Sequence, residues 1–195
     1  IPASKLLMVR LQQRPFLENV ISQADYEYLK KCLIRDGKTN YYFAVRIMAA
    51  TGVRISELVQ IQIEDIRRGQ LDLYSKGNKI RRIYFPHSVR ETCLMWLQNE
   101  NRSKGSLFLN RFGCPISTNG IRDQLKVFAL RYHLDPSVVH PHSFRHRFAK
   151  SFLERYNDIA MLADLMGHSS IETTRIYLRK TSTEQQNIIN QVIDW

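Results

Sequence analysis

Between residues 70 and 85 the hydrophobic pattern changes period, and that change limits the fold more than any other feature of the chain. Leu71 and Leu73 alternate with polar neighbours, Ile83 and Phe85 continue on the far side, and Lys76-Gly77-Asn78-Lys79 between them has the composition of a turn. Alternation places every second side chain on one face of an extended strand, so the stretch reads as a β-hairpin, ended by Pro86. Around it the apolar residues recur at helical spacing. The expected fold is therefore mainly α with a small antiparallel β-sheet.

The helical segments carry their own punctuation. Ser22 is a cap and Asp25 suits the first turn, with Tyr26, Leu29 and Leu33 on one face until Asp36-Gly37. Residues 40–51 read as a second, more buried helix stopped by Gly52, and a third starts near Arg54 with Ile55, Leu58, Val59 and Ile61. After the hairpin, helices are predicted over 88–100 and 118–133, separated by a loop marked by Gly113 and Pro115. Three more follow over 142–156, 158–166 and 170–179, the second stopped by Gly167. A last one starts with the capping pattern Ser182-x-x-Gln185, carries Ile188, Ile189, Val192 and Ile193, and reaches Trp195.

With 195 residues the chain suits one well-buried domain. Residues 1–20, with two prolines and no clear period, read as a linker from an upstream domain; 21–181 form the working domain, and 182–195 a C-terminal helix that packs on its own domain or on a neighbouring subunit. Lys and Arg number 29 against 18 Asp and Glu, a formal charge of +11. A surplus of that size suits a polyanion, because binding releases condensed counterions, and nucleic acid is the expected partner. No run approaches the roughly 20 apolar residues of a membrane span, so a membrane partner is not expected. Cys32, Cys93 and Cys114 show no C-x-x-C pairing and read as buried thiols of a cytoplasmic protein.

The chemistry concentrates between His140 and Tyr177, where His142-Ser143-Phe144-Arg145, Leu165-Met166-Gly167-His168 and Arg175-Ile176-Tyr177 follow one another. A phenol ionises near pH 10, so a tyrosine that attacks a phosphodiester needs its proton removed and the phosphate charge masked. Arg54 and Arg145 can clamp the non-bridging oxygens with planar forks, Lys76 on the hairpin turn, or Lys79 flanking the same turn, can protonate the leaving 5′ oxygen, and His142 and His168 can bond the phosphate or manage the tyrosine proton. The scheme needs neither metal nor cofactor. Each residue alone has a plainer reading: Tyr177 is one of nine tyrosines, Arg54 could pair with Glu57 on its own helix, and His140, His142 and His146, the last two four apart, could hold a metal, though no H-E-x-x-H glutamate or neighbouring Cys supports that. The coincidence of all six positions outweighs these.

Thr51-Gly52-Val53-Arg54-Ile55-Ser56-Glu57-Leu58, Ser75-Lys76-Gly77-Asn78-Lys79, Pro141-His142-Ser143-Phe144-Arg145-His146 and Leu165-Met166-Gly167-His168, with Tyr177 nine positions on, resemble the tyrosine recombinases of the phage-integrase family in their catalytic domain. The resemblance covers roughly residues 15–180, and four separated motifs stand in the same order. It implies the tyrosine recombinase catalytic-domain fold, with Arg54, Lys76, His142, Arg145, His168 and Tyr177 as catalytic residues and Tyr177 as nucleophile. It implies site-specific cleavage and rejoining of double-stranded DNA through a 3′-phosphotyrosine, by a homo-tetramer assembled on the recombination site of a mobile element or chromosome. Lys79, Arg81, Arg82, Arg147 and Arg175 are the expected DNA contacts. A topoisomerase-like relaxing enzyme and a DNA-binding module without cutting activity are the alternatives.

Overall fold

The hairpin and the helix ends fix the architecture. A computed structural model describes residues 20–75, 79–168, 170–178 and 189–190. Helix α1 (Gln23–Arg35) starts where the Ser22 side chain accepts from the Asp25 N–H, and α2 (Thr39–Thr51) stops where Gly52 takes a left-handed conformation. Buried positions of α1, including Leu29 and Leu33, pack against α2, whose inner face carries Phe43, Val45, Ile47 and Met48.

The predicted third helix is two short ones. Helix α3 (Ile55–Leu58) ends after one turn, and α4 (Ile63–Arg68), which the sequence reading did not separate, begins after Gln62, whose N–H is received by Asp65. The break has a purpose in the packing. Between the two helices the Ile61 carbonyl accepts from the Leu107 N–H, and Gln62 bridges to Ser106, tying the segment to the loop before α6.

Strands β1 (Gln70–Ser75) and β2 (Lys79–Tyr84) pair antiparallel, with Leu71 opposite Ile83, Asp72 opposite Arg82 and Leu73 opposite Arg81. Alternation therefore turns Leu71, Leu73, Arg81 and Ile83 inward and leaves Tyr74, Ile80, Arg82 and Tyr84 exposed. Helices α5 (His87–Asn99) and α6 (Thr118–Arg131) follow, burying Val89, Cys93 and Leu97 from the first and Ile121, Leu125 and Phe128 from the second. Cys32 and Cys93 are buried as expected, but Cys114 is exposed, because it lies in the tight turn closed by the Asn110 side chain.

Helix α7 (Pro141–Arg155) runs from one core into another. Its N-terminus is capped by His140, and Ser143 receives the buried Ile21 N–H, anchoring the start of the described chain. Phe144 belongs to the main core with α1, α2, α5 and α6, whereas Ala149 belongs to a smaller cluster with Leu162 and Met166 of α8 (Ile159–Met166). Helix α9 (Glu172–Arg175) continues into a 3-10 turn, Ile176–Leu178, so the described part of the helix expected over 170–179 is a short α-helix followed by a tighter turn. Of the predicted C-terminal helix, only Ile189 and Asn190 are described, and both are helical. Among the described residues no helix is long and apolar enough to cross a membrane.

Candidate active site

The C-terminal end of α8 assembles the site. A helix leaves its last carbonyls without intrahelical donors and concentrates partial negative charge there, which favours cations. At this end the cap uses the Ala163 and Asp164 carbonyls, which accept from the His168 and Gly167 N–H groups. The next three are free for side chains. Leu165 O accepts from Arg81 Nε at 2.9 Å, Met166 O from Arg145 Nη2 at 2.7 Å, and Gly167 O from Arg54 Nη2 at 2.7 Å. Three successive carbonyls thus gather three guanidiniums that lie far apart in the sequence.

Gly52 completes the grip on Arg145. Its carbonyl, at the capped end of α2, accepts from Arg145 Nη1, so that guanidinium lies between two helix C-termini. Arg145 is only 5% exposed, and burial, then the neighbouring charges of Arg54 and Arg81, lower its pKa to about 10. It remains a cation at neutral pH. Both glycines are needed for close packing as well as for positive φ: a Cβ on Gly52 would meet the Phe148 ring at 2.9 Å or less, and one on Gly167 would meet Arg81 Nε at 2.9 Å, with Cδ closer still.

Glu57 holds the like charges together. Its Oε1 accepts from Arg54 Nη1 at 2.8 Å, its Oε2 accepts from the Arg54 N–H at 2.8 Å, and both oxygens accept from Arg81 Nη1 at 2.6 Å. Burial alone would raise the carboxyl pKa, but the Arg54 N–H and the Arg81 charge outweigh it and hold Glu57 below the usual carboxylate range. One carboxylate among three guanidiniums leaves two positive charges uncompensated. An anion is the natural complement of that surplus.

Beside this cluster stand the histidines and the tyrosine. The Arg145 Nη2 to His168 Nε2 separation is 3.1 Å, and a guanidinium only donates, so Nε2 accepts and Nδ1 donates to Thr174 Oγ1 at 2.8 Å. Burial and the charges of Arg145, Arg54 and Arg81 lower the His168 pKa to about 4. Tyr177 packs its ring against the smaller core, and its hydroxyl lies 2.6 Å from His146 Nδ1. Desolvation raises the phenol to about 12, against a smaller opposing pull from Arg145. His142 is the most open of the three, with partial desolvation and then Arg145, Arg122 and Arg54 lowering its pKa.

Of the six predicted catalytic positions, Arg54, Arg145 and His168 converge on the end of α8, Tyr177 adjoins them through His146, and His142 stands one helical turn from His146 with ring centroids 6.4 Å apart. Lys76 lies outside the described residues. Arg54 makes the plainer pairing with Glu57 through Nη1 while Nη2 bonds the Gly167 carbonyl.

The expected DNA contacts divide. Arg81 faces inward with a side chain 9% exposed, committed to Glu57 and Leu165, because it occupies the inward register of β2. Arg82, one residue on, faces outward and pairs with Asp72 at 2.6 Å. Arg147 lies over the Tyr26 ring at 4.5 Å, Arg175 pairs with Glu172 at 3.0 Å on the surface, and the Lys79 side chain lies outside the described set. The sequence marks Glu57 only as a helix partner of Arg54 and His146 only as a motif residue and metal alternative, and Thr174 carries no signal at all.

The chain matches the phage integrase family over residues 19–184. It is 32% identical over 155 residues to tyrosine recombinase XerD of Staphylococcus haemolyticus, covering 75% of this chain and 52% of that protein. It is 33% identical over 142 residues to tyrosine recombinase XerC of Lactobacillus delbrueckii, covering 68% of this chain and 48% of the relative. The chain thus spans about half the length of the curated relatives it matches. Among solved structures, XerA recombinase superposes with a TM-score of 0.73 at 22% identity, covering 90% of this chain and 64% of that one. The Tn1549 transposon integrase in complex with transposon right end DNA gives 0.73 at 19% identity, covering 93% and 67%. The catalytic domain of bacteriophage HP1 integrase gives 0.58 at 18% identity, covering 88% and 93%. With the fold, the clustered arginines and the family match in agreement, this chain belongs to the phage integrase family of tyrosine recombinases.

Proposed function

We propose that the chain is the catalytic part of a site-specific DNA recombinase or integrase, cutting and rejoining strands through Tyr177. The observation that carries this reading is the gathering of the Arg54 and Arg145 guanidiniums at the end of α8, with the Tyr177 hydroxyl beside them on His146. Two forks aimed at one place neutralise the phosphate and then the extra charge that develops on its equatorial oxygens. Tyr177 Oη bonds to phosphorus, the P–O5′ bond breaks, and the 5′ oxygen takes a proton, for which Lys76 is the proposed donor. The phosphotyrosine ester keeps the energy of the bond it replaced. Attack by a 5′ hydroxyl reseals a strand by the reverse path, with no nucleotide consumed.

The partner is double-stranded DNA, and the +11 charge supports it. Outward Arg82 and Arg175, Arg147 and Lys79 are the proposed phosphate contacts, whereas Arg81 is turned inward, with Nε on Leu165 O, Nη1 on Glu57 and Nη2 buried without a partner among the described residues. Residues 1–20 would lead from an upstream DNA-gripping domain. A homo-tetramer on paired sites follows from strand exchange, and residues 182–195 are the proposed contact between subunits. Deleting them should reduce self-association on DNA, and unchanged association refutes that role.

Covalent capture tests the whole reading. A library of nicked duplexes of randomised sequence is incubated with the encoded protein, and DNA that stays attached under denaturing conditions is recovered and sequenced. An adduct that disappears in Tyr177→Phe establishes nucleophile and reaction class. DNA binding without any adduct overturns the reading in favour of a non-cutting module, and relaxation of supercoiled plasmid without junction products favours a topoisomerase-like enzyme.

A further inference from the structure

His146 follows Arg145 on α7, so its ring leaves the same helical turn as the phosphate clamp while the Tyr177 hydroxyl comes to it from the 3-10 turn beyond α9. The Oη to Nδ1 separation is 2.6 Å, with ring centroids 5.5 Å apart and planes inclined at 52°. That is a short, direct contact. Among the described residues, His146 is the side chain that bonds the Tyr177 hydroxyl. The other two histidines make other contacts: His168 has Nε2 on Arg145 and Nδ1 on Thr174, and the His142 ring centroid stands 6.4 Å from that of His146.

Resting on the tyrosine-nucleophile reading above, we propose that His146 is a catalytic residue of this site, accepting the Tyr177 proton at Nδ1 during cleavage and returning it during resealing. In cleavage the Tyr177 O–H bond breaks as the Oη–P bond forms, the proton passes to Nδ1, and the P–O5′ bond breaks with its electron pair leaving on the 5′ oxygen. In resealing the 5′ oxygen bonds to phosphorus as its proton returns to Lys76, the proposed donor in cleavage, while the Oη–P bond breaks and the phenolate takes its proton back from Nδ1.

The surroundings keep the His146 ring neutral. Facing His146 are His140, His142 and Arg145 from α7, His168 after α8, and Tyr177 itself. Among these groups are an arginine cation and three further imidazoles, and no carboxylate. Burial and then these neighbours lower the His146 pKa to about 4, so the ring is neutral near neutral pH, and in the tautomer with its proton on Nε2 the phenol donates to Nδ1. With its proton on the imidazole side, the oxygen has lone pairs left for phosphorus. An imidazole of low basicity is sufficient, because the phenolic oxygen becomes more acidic as it bonds to phosphorus. An arriving phosphate also brings a negative charge that favours imidazolium.

The test uses the encoded protein and the nicked duplexes recovered by covalent capture, with the rate of adduct formation as readout. His146→Asn sets an amide oxygen near the Nδ1 position, able to accept the hydrogen bond but not the proton. Loss of a proton acceptor slows such steps about 100-fold or more. We expect a fall of that order in His146→Asn with DNA affinity unchanged, and partial recovery when Tyr177 is replaced by a ring-fluorinated, more acidic tyrosine. His146→Gln serves if the asparagine variant does not fold. Adduct formation in either folded variant within about threefold of the parent, or a slow variant that the fluorinated tyrosine does not rescue, overturns the proposal and leaves His146 a holding group. Absence of adduct from the parent itself, with DNA bound, removes the nucleophile reading and this one together.

Discussion

Gly167→Ala separates backbone strain from the packing of the arginine cluster. Gly167 sits at φ 62° and ψ 46°, a left-handed conformation that costs a non-glycine residue about 1–2 kcal/mol. The added methyl would also lie within 2.9 Å of Arg81 Nε and nearer to Cδ, well inside the spacing of roughly 3.5–4.0 Å between non-bonded carbons. Arg81 cannot retreat freely, because Nε is held by Leu165 O at 2.9 Å and Nη1 by Glu57 at 2.6 Å. Losing one hydrogen bond from a charged group costs about 1.5–3 kcal/mol, bringing the expected total to about 2.5–5 kcal/mol. Gly37→Ala is the control: its φ is also +64°, but nothing lies within 4 Å of the new methyl, so only the strain of about 1–2 kcal/mol applies. Urea unfolding of both variants measures the difference. Equal losses in the two would refute the packing of Arg81 against Gly167 as a determinant of the site.

Stability should fall as the pH drops from about 6.5 toward 4, since His146 and His168 have folded pKa values of about 4 against an unfolded value near 6.5, and the unfolded chain binds more protons in that window. Glu57, whose pKa is lowered on folding, extends the loss to lower pH, and Glu57→Gln should flatten that part of a stability-against-pH curve measured in urea. A maleimide should label Cys114 in the native chain, and Cys32 and Cys93 only after unfolding, because both are buried and burial lifts the Cys93 thiol to about 12; mass spectrometry of the labelled peptides decides. Adduct formation should persist in EDTA, since guanidiniums supply the charge stabilisation, and loss on chelation restored by magnesium would refute that.

Local signals and long-range packing contributed differently to what could be read. Ser22, Gly52, Pro86 and Gly167 each terminate or start an element through their own backbone preferences, and the structure uses all four at those places. The division between α3 and α4 escaped the sequence because it depends on Leu107, more than forty residues on, donating to the Ile61 carbonyl. The two arginines of β2 were treated alike, although strand alternation sends Arg81 and Arg82 to opposite faces. That distinction was legible: Arg81 stands two residues before the inward Ile83.

The sequence by itself determined the helical class with its one hairpin, the basic surface, and the residue types that can clamp and attack a phosphate, because periodicity, capping and charge are properties of short stretches. Only the tertiary structure decided that three carbonyls at the end of α8 collect Arg81, Arg145 and Arg54, and that Glu57 joins Arg81 to Arg54. It also decided that the Tyr177 hydroxyl meets His146 rather than His142 or His168. Those choices depend on where separate helices end in space, and a buried donor or acceptor must take the partner that the packing brings within reach.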